Sequence, residues 1–293
     1  MSRGRTQASA SPRRISSPAR DAWRRFARNK LSFVGGAIVL VILLAALLAP
    51  HIAPSSPVAI SLREKYRRPS SEHWLGTDEL GRDVLSRLIY GARVAVGVAF
   101  SAVLLAAVVG SIAGLIVSYS GGWIDEIAMR FLDIVLAFPA FLLAIVLVAF
   151  LGPNTMNIVL VIAVTRLPRY ARLIRGQVIS LKETVYVEAA RAIGAGELRI
   201  ALRHILPGCV GALAVYVSLT LGESILAIAG LSFLGIGIQP PTPDWGVMLT
   251  RGRDYLLLAP WVALAPGAAI FATVLGFNLL GDGLRDAFDP RGQ

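Results

Sequence analysis

Charge is scarce in this chain. Only 16% of its 293 residues are Asp, Glu, Lys or Arg, whereas 55% are hydrophobic and the mean hydropathy is +0.66. A soluble domain carries about 25% charged residues, so the shortage excludes a well-solvated globular surface and points to a membrane. Lysine is nearly missing: Lys30, Lys65 and Lys182 are the only three among 29 basic residues, a compositional bias without functional weight. The single cysteine, Cys209, excludes an intrachain disulfide framework. The three histidines, His51, His73 and His204, are too scattered to form a metal cluster.

Catalytic signatures are missing as well. No G-x-x-x-x-G-K-[ST] loop is present to cradle nucleotide phosphates, and there is no H-E-x-x-H, C-x-x-C or G-x-S-x-G. An intramembrane hydrolase needs a nucleophile with a base, or paired acids, at membrane depth. The best such acid is Glu223 in SLTLGESILAIAG, and one carboxylate is insufficient. Asp125 and Asp133 fall near the cytosolic edge, where solvation is cheap. The chain reads as a non-enzyme that binds no cofactor itself. Its net charge of +11 could suggest nucleic acid, but the placement of charge matters more than its size.

What is present is a series of apolar runs. A helix needs about 20 mostly apolar residues to cross the hydrocarbon core, and the candidates are 33–50, 92–119, 134–151, 157–170, 210–234 and 260–280. The expectation is an all-α polytopic membrane protein with six spans, or five if 157–170 does not cross. That fourth run is broken by Arg166, Arg169, Arg172 and Arg175. Successive three-residue steps turn about −60° around a helix, which suits arginines snorkelling at emergence into headgroups.

With six spans, 20 of the 29 Lys and Arg fall on the side holding residues 1–32, 120–133, 166–207 and 281–293. That excess places both termini in the cytoplasm. Residues 1–30 then read as a basic cytosolic tail, disordered and ending in a membrane-surface patch, in preference to a signal peptide built on the Arg pairs at 13–14 and 24–25. Residues 31–91 hold the first span and an external loop, 92–285 the core, and 286–293 a cytosolic C-terminal tail.

One polar segment, EAARAIGAGELRIALRHILP at 188–207, sits between two apolar runs. Thr184 is placed to cap its first helix, with Glu188 well positioned for the N-terminal dipole. Val187, Ala190 and Ile193 give a small apolar face. Gly194-Ala195-Gly196 interrupts the helix, and a second helix follows with Leu198, Ala201, Leu202 and Ile205 on one side. Pro207 is expected to stop it. The apolar face is too small and alanine-rich for strong binding to lipid, which favours docking to a protein. Elsewhere, 73–93 reads as an amphipathic helix, the prolines at 240, 241 and 243 as a stiff external segment, and Gly281 and Gly283 as the end of the last helix.

The spacing within 188–207 resembles the signature of ATP-binding-cassette importer permeases. Glu188, Ala189, Ala190, Gly194, Leu206 and Pro207 match it, Arg191 lies within it, and His204 resembles the variant of the peptide and nickel branch. HWLGTDELGRDVLSRLIYGAR (73–93), LSFLGIGIQPPTPDWG (231–246) and FNLLGDGLRDAFDPR (277–291) are similar to the C-type permease of dipeptide and oligopeptide importers. The likeness runs from about residue 23 to 291. It implies a type I importer permease of the bacterial plasma membrane whose 186–207 element is a coupling helix fitting a cleft on an ATPase subunit. It also implies partners: a second homologous permease in a heterodimer, two ATPase subunits that hold ATP and Mg, an extracytoplasmic solute-binding protein and the bilayer, with no nucleic acid. Nickel or another small solute is the alternative cargo. Glu223 is the candidate pathway residue, or else a carboxyl that joins two helices. A secondary transporter is the rival class, but it leaves 186–207 unexplained.

Overall fold

The computed structural model describes residues 30–288; the expected N-terminal tail up to residue 29 and the last five residues lie outside them. The described residues contain ten α-helices. They are α1 (Lys30–Ile52), α2 (Val84–Ser120), α3 (Gly122–Ala137), α4 (Ala140–Leu151), α5 (Thr155–Lys182), α6 (Val185–Ala192), α7 (Glu197–Ile200), α8 (Leu206–Phe233), α9 (Trp245–Arg253) and α10 (Trp261–Phe288). No β-strand occurs among the described residues.

Four helices are long and apolar enough to cross a membrane: α1, α2, the continuous Glu197–Phe233 unit and α10. At 1.5 Å per residue the 37-residue α2 is about 55 Å long, well beyond a core of roughly 30 Å. The expected third span is not a straight rod. Phe138-Pro139 breaks it, and α3 meets α4 at 88°, so the pair makes one bent crossing at most. Proline lacks a donor and disfavours helix at the residue before it, so the break falls where the sequence places Pro139. The expected fourth span runs on without interruption as α5, 28 residues long, with its arginines inside the helix.

Small side chains set the packing. Along α2 the buried positions include Ala92, Ala95, Ala99, Ala102, Ala106, Gly110 and Gly114. This stripe lies against Ile158, Ile162, Tyr170 and Ala171 of α5 in one core. A Cβ on Gly110 would come within 2.7 Å of Tyr170 Cβ and 2.8 Å of Leu167 O. Between membrane helices, such close backbone approach replaces the hydrophobic drive that lipid removes. Outward-facing Phe33, Leu47, Phe100, Phe150 and Phe271 are exposed.

The ends of the bundle are tied differently. At one end Gly35 of α1 abuts Leu279 and Gly276 of α10, and Gly211 of α8 meets Phe288. The start of α1, the finish of α10 and the 186–207 element therefore share that end. Gly281 and Gly283 do not terminate α10, which continues to Phe288; Gly281 instead makes room for Leu219.

The opposite end carries a polar cap. Residues 73–83 are turns and not the expected helix, closed by a Thr77–Asp83 bridge. Asp78 Oδ1 accepts from the backbone N–H groups of Leu80 and Arg82, and Asp83 caps α2 by accepting from Ser86 N at 2.7 Å. These side-chain-to-backbone bonds compete with helix in this stretch. Asp78 also takes Arg82 Nε at 2.7 Å, and Arg87 donates to Pro57 O. Trp245 Nε1 donates to Leu88 O and Trp261 Nε1 to Thr77 O, binding α9 and α10 into the cap.

Candidate functional site

Two features concentrate polar chemistry: a charged chamber between α5 and α8, and the bent element at 186–207.

In the chamber, Arg166 Nη1 donates to Glu223 Oε2 at 2.6 Å, and Arg169 Nη1 approaches the same oxygen at 3.6 Å. Arg166 is buried, its side chain 9% exposed, while those of Glu223 and Arg169 are 53% and 42% exposed. Arg166 therefore does not snorkel; it is held inside by a carboxylate 57 residues away. The other two arginines also find acids: Arg175 Nε donates to Asp125 Oδ1 at 2.6 Å, and Arg172 to Asp133. Both acids sit on α3, so the arginine ladder of α5 bolts the bent α3–α4 pair to the bundle.

Glu223, Arg166 and Arg169 line a cavity of about 580 Å³, completed by Ala140, Phe141, Leu226, Ala227 and Gly230. A second cavity of about 390 Å³, lined by Leu136, Arg172, Leu173 and Tyr216, has Arg169 as a shared wall. Glu223 thus joins α8 to α5 through Arg166, and it also lines the larger cavity.

The element at 186–207 is bent as expected. Gly194 adopts φ +84°, the left-handed region glycine tolerates, between α6 and α7. Across this corner Arg191 Nε donates to Glu197 Oε1 at 2.9 Å, and the bond holds the Glu197 carboxyl below its usual range. Thr184 stands at the N-cap position, but its hydroxyl donates back to Leu181 O and does not cap α6.

The apolar faces also differ from expectation. Val187, Ala190, Ile200 and Ile205 are buried in one cluster with Ile174 and Val178 of α5, and Ala201 is buried too, whereas Ile193, Leu198 and Leu202 point outward. Glu188, Ala189 and Arg191 are exposed, while His204 and Leu206 are half-buried. Pro207 does not stop the helix. Residues Ala201–Ile205 form a π-turn, in which Leu206 N–H reaches back to Ala201 O. This wider turn relieves the clash proline creates in a regular helix, and the chain runs helically from Glu197 to Phe233.

Helices fit to cross a bilayer, one of them walling a charged cavity and continuous with a bent amphipathic peg, define a membrane transport subunit. The chain belongs to the family of binding-protein-dependent transport system inner membrane components, whose model matches residues 85–292. Residues 17–69 match the N-terminal transmembrane domain of oligopeptide transport permease C. Curated relatives agree. The chain is 44% identical to the glutathione transport system permease protein of Pectobacterium atrosepticum, over 94% of this chain and 92% of that protein. It is 45% identical to the dipeptide transport system permease protein of Alkalihalophilus pseudofirmus, over 94% and 90%. A glutathione permease protein of Escherichia coli O1:K1 is 43% identical, over 96% and 93%.

Proposed function

We propose that this chain is one of two homologous permease subunits, paired as a heterodimer, in an importer of short peptides driven by two separate ATPase subunits. The relatives' names, dipeptide and glutathione permease, favour peptide over nickel as cargo. An extracytoplasmic binding protein delivers the cargo, and ATP with Mg is held by the ATPase chains. The spans number six, with α3–α4 as the bent third and α5 as the fourth, and both termini lie in the cytoplasm of a bacterial cell.

The observation that carries this reading is the unbroken helix from Glu197 to Phe233, which includes the wall residue Glu223. Its outer end presents exposed Leu198 and Leu202, beside exposed Ile193 across the Gly194 corner. Apolar side chains grouped on a polar element mark a protein contact. When the ATPase clefts close, the peg moves as a lever and the chamber wall moves with it. The assembly then has two states that bind nucleotide differently, which is all that coupling requires. Glu188, Ala189, Ala190, Arg191, Gly194, His204, Leu206 and Pro207 serve the peg in different ways. Glu188 and Ala189 belong to its surface, Ala190 to its packing on α5, and Arg191 and Gly194 to its corner. His204, Leu206 and Pro207 form its junction with α8.

Glu188→Arg places a cation where the helix N-terminus favours an anion and reverses charge on the docking surface. Membrane insertion should be unaffected, while co-purification of the ATPase subunits and peptide uptake should be lost. Normal recovery of the ATPase together with normal uptake would refute the docking assignment.

A further inference from the structure

Arg169 differs from the other arginines of α5. Its neighbours in the ladder each hold an acid within hydrogen-bond distance, whereas Arg169 meets Glu223 only at 3.6 Å, has the Tyr216 hydroxyl as its other polar neighbour and remains 42% exposed. It also lies on the walls of both cavities. Arg166, by contrast, is committed to Glu223 and yet retains a buried Nε with no hydrogen-bond partner, so the centre is not electrostatically saturated. Three charged groups, two positive and one negative, thus leave one guanidinium without an acid at hydrogen-bond distance.

The remaining wall of the larger cavity is apolar and small: Ala140, Ala227 and Gly230 beside Phe141 and Leu226. Such a lining offers no directional contacts by which one side chain could be told from another. We propose that this chamber is a way-station recognising the free C-terminal carboxylate of a passing peptide through Arg169, with cargo side chains left unread against the apolar wall. The inference rests on the peptide-import reading above and specifies which group of the cargo is held. A guanidinium fork matches a carboxylate in a bidentate way. To make that bond Arg169 exchanges only a long contact with Glu223 and a neutral neighbour, the Tyr216 hydroxyl, for a full counter-charge. Arg166 keeps Glu223 anchored, so the half-exposed carboxylate stays in place to face the peptide's ammonium group. Because Arg169 borders both cavities, a carboxylate on it lies where their walls meet.

The test compares a short peptide with its C-terminal amide. The complete transporter is reconstituted with its binding protein in proteoliposomes, and uptake of both forms is measured for the wild type, Arg169→Gln and Arg169→Lys. The binding protein is common to every assay, so its own preference cancels when acid-to-amide uptake ratios are compared. A charge-assisted bond predicts that the ratio falls on the order of tenfold in Arg169→Gln. Arg169→Lys, which keeps the charge but not the fork, should recover part of it. An unchanged ratio in Arg169→Gln overturns the proposal, whether uptake of both forms is intact or falls in parallel, because a purely structural arginine would not distinguish acid from amide. If the wild type imports neither form while retaining its ATPase partners, the peptide reading itself fails and this inference fails with it.

Discussion

At the residue scale the decisive pair is Arg166–Glu223. A buried charge is costly unless it is paired, so Arg166 persists inside the bundle because its carboxylate is 2.6 Å away. Glu223→Gln keeps the shape and removes the counter-charge. Half of Glu223 faces the cavity, so the expected loss of stability is about 1–2 kcal/mol, less than the roughly 3–5 kcal/mol of a fully buried pair. Uptake should fall several-fold with the subunits still assembled, and Glu223→Asp should lie between the two. A thermal-unfolding scan with a transport assay reads both, and unchanged uptake would remove the pair from the transport path. Glu223 itself was legible in the sequence, as the one acid deep in an apolar run. Its partners were not. The three-residue steps of Arg166, Arg169, Arg172 and Arg175 fit snorkelling as well as pairing, and only the crossing of α5 with α8 and α3 brings the matching acids across.

At the scale of elements, α2 and α5 are held by closeness. Gly114 lies directly under the carbonyl of Ala171, and Gly110 under Tyr170. Gly114→Val should push the two helices apart and destabilise the subunit by about 1–3 kcal/mol, the usual cost of overpacking. Gly97→Ala on the same helix meets nothing within 4 Å and should be neutral, or stabilising by up to about 1 kcal/mol from helix propensity. Melting temperatures of the two variants in one detergent provide the comparison; equal shifts would show that the contact is not tight. The apolar runs were legible because bilayer thickness fixes their length. The outward face of 186–207 was not, because its register depends on a widened turn. Ala201 and Ile205 are buried as a regular helix predicts, but Ile200 replaces Leu198 on the inner face and Leu202 turns out. The π-turn at Ala201–Ile205 that accommodates Pro207 accounts for the difference. A proline in sequence signals a stop more often than a detour, which is why the continuity into α8 emerges only from the backbone.

At the scale of the whole molecule, two differently built ends lie across the span. One gathers the start of α1, the finish of α10 and the peg; the other holds the ion-paired cap in which Tyr66 stacks on Tyr255, 4.7 Å between ring centres. The excess of Lys and Arg belongs to the peg's side of the chain, so that end should face the cytoplasm. Chemistry already in the chain makes this testable. The lone cysteine, Cys209, is 1% exposed and its thiol donates to Ile205 O, so it contributes little background to labelling. Leu198 on the peg is 73% exposed, and Leu257 at the far end is fully exposed. In intact cells, Leu257→Cys should react with a membrane-impermeant maleimide while Leu198→Cys stays silent; in inverted vesicles the order should reverse. Adding the ATPase subunits to those vesicles should protect Leu198→Cys if the peg is seated in them. Labelling of Leu198→Cys from outside would invert the molecule, and a lever reaching away from the cytoplasm could transmit no force from an ATP-driven partner.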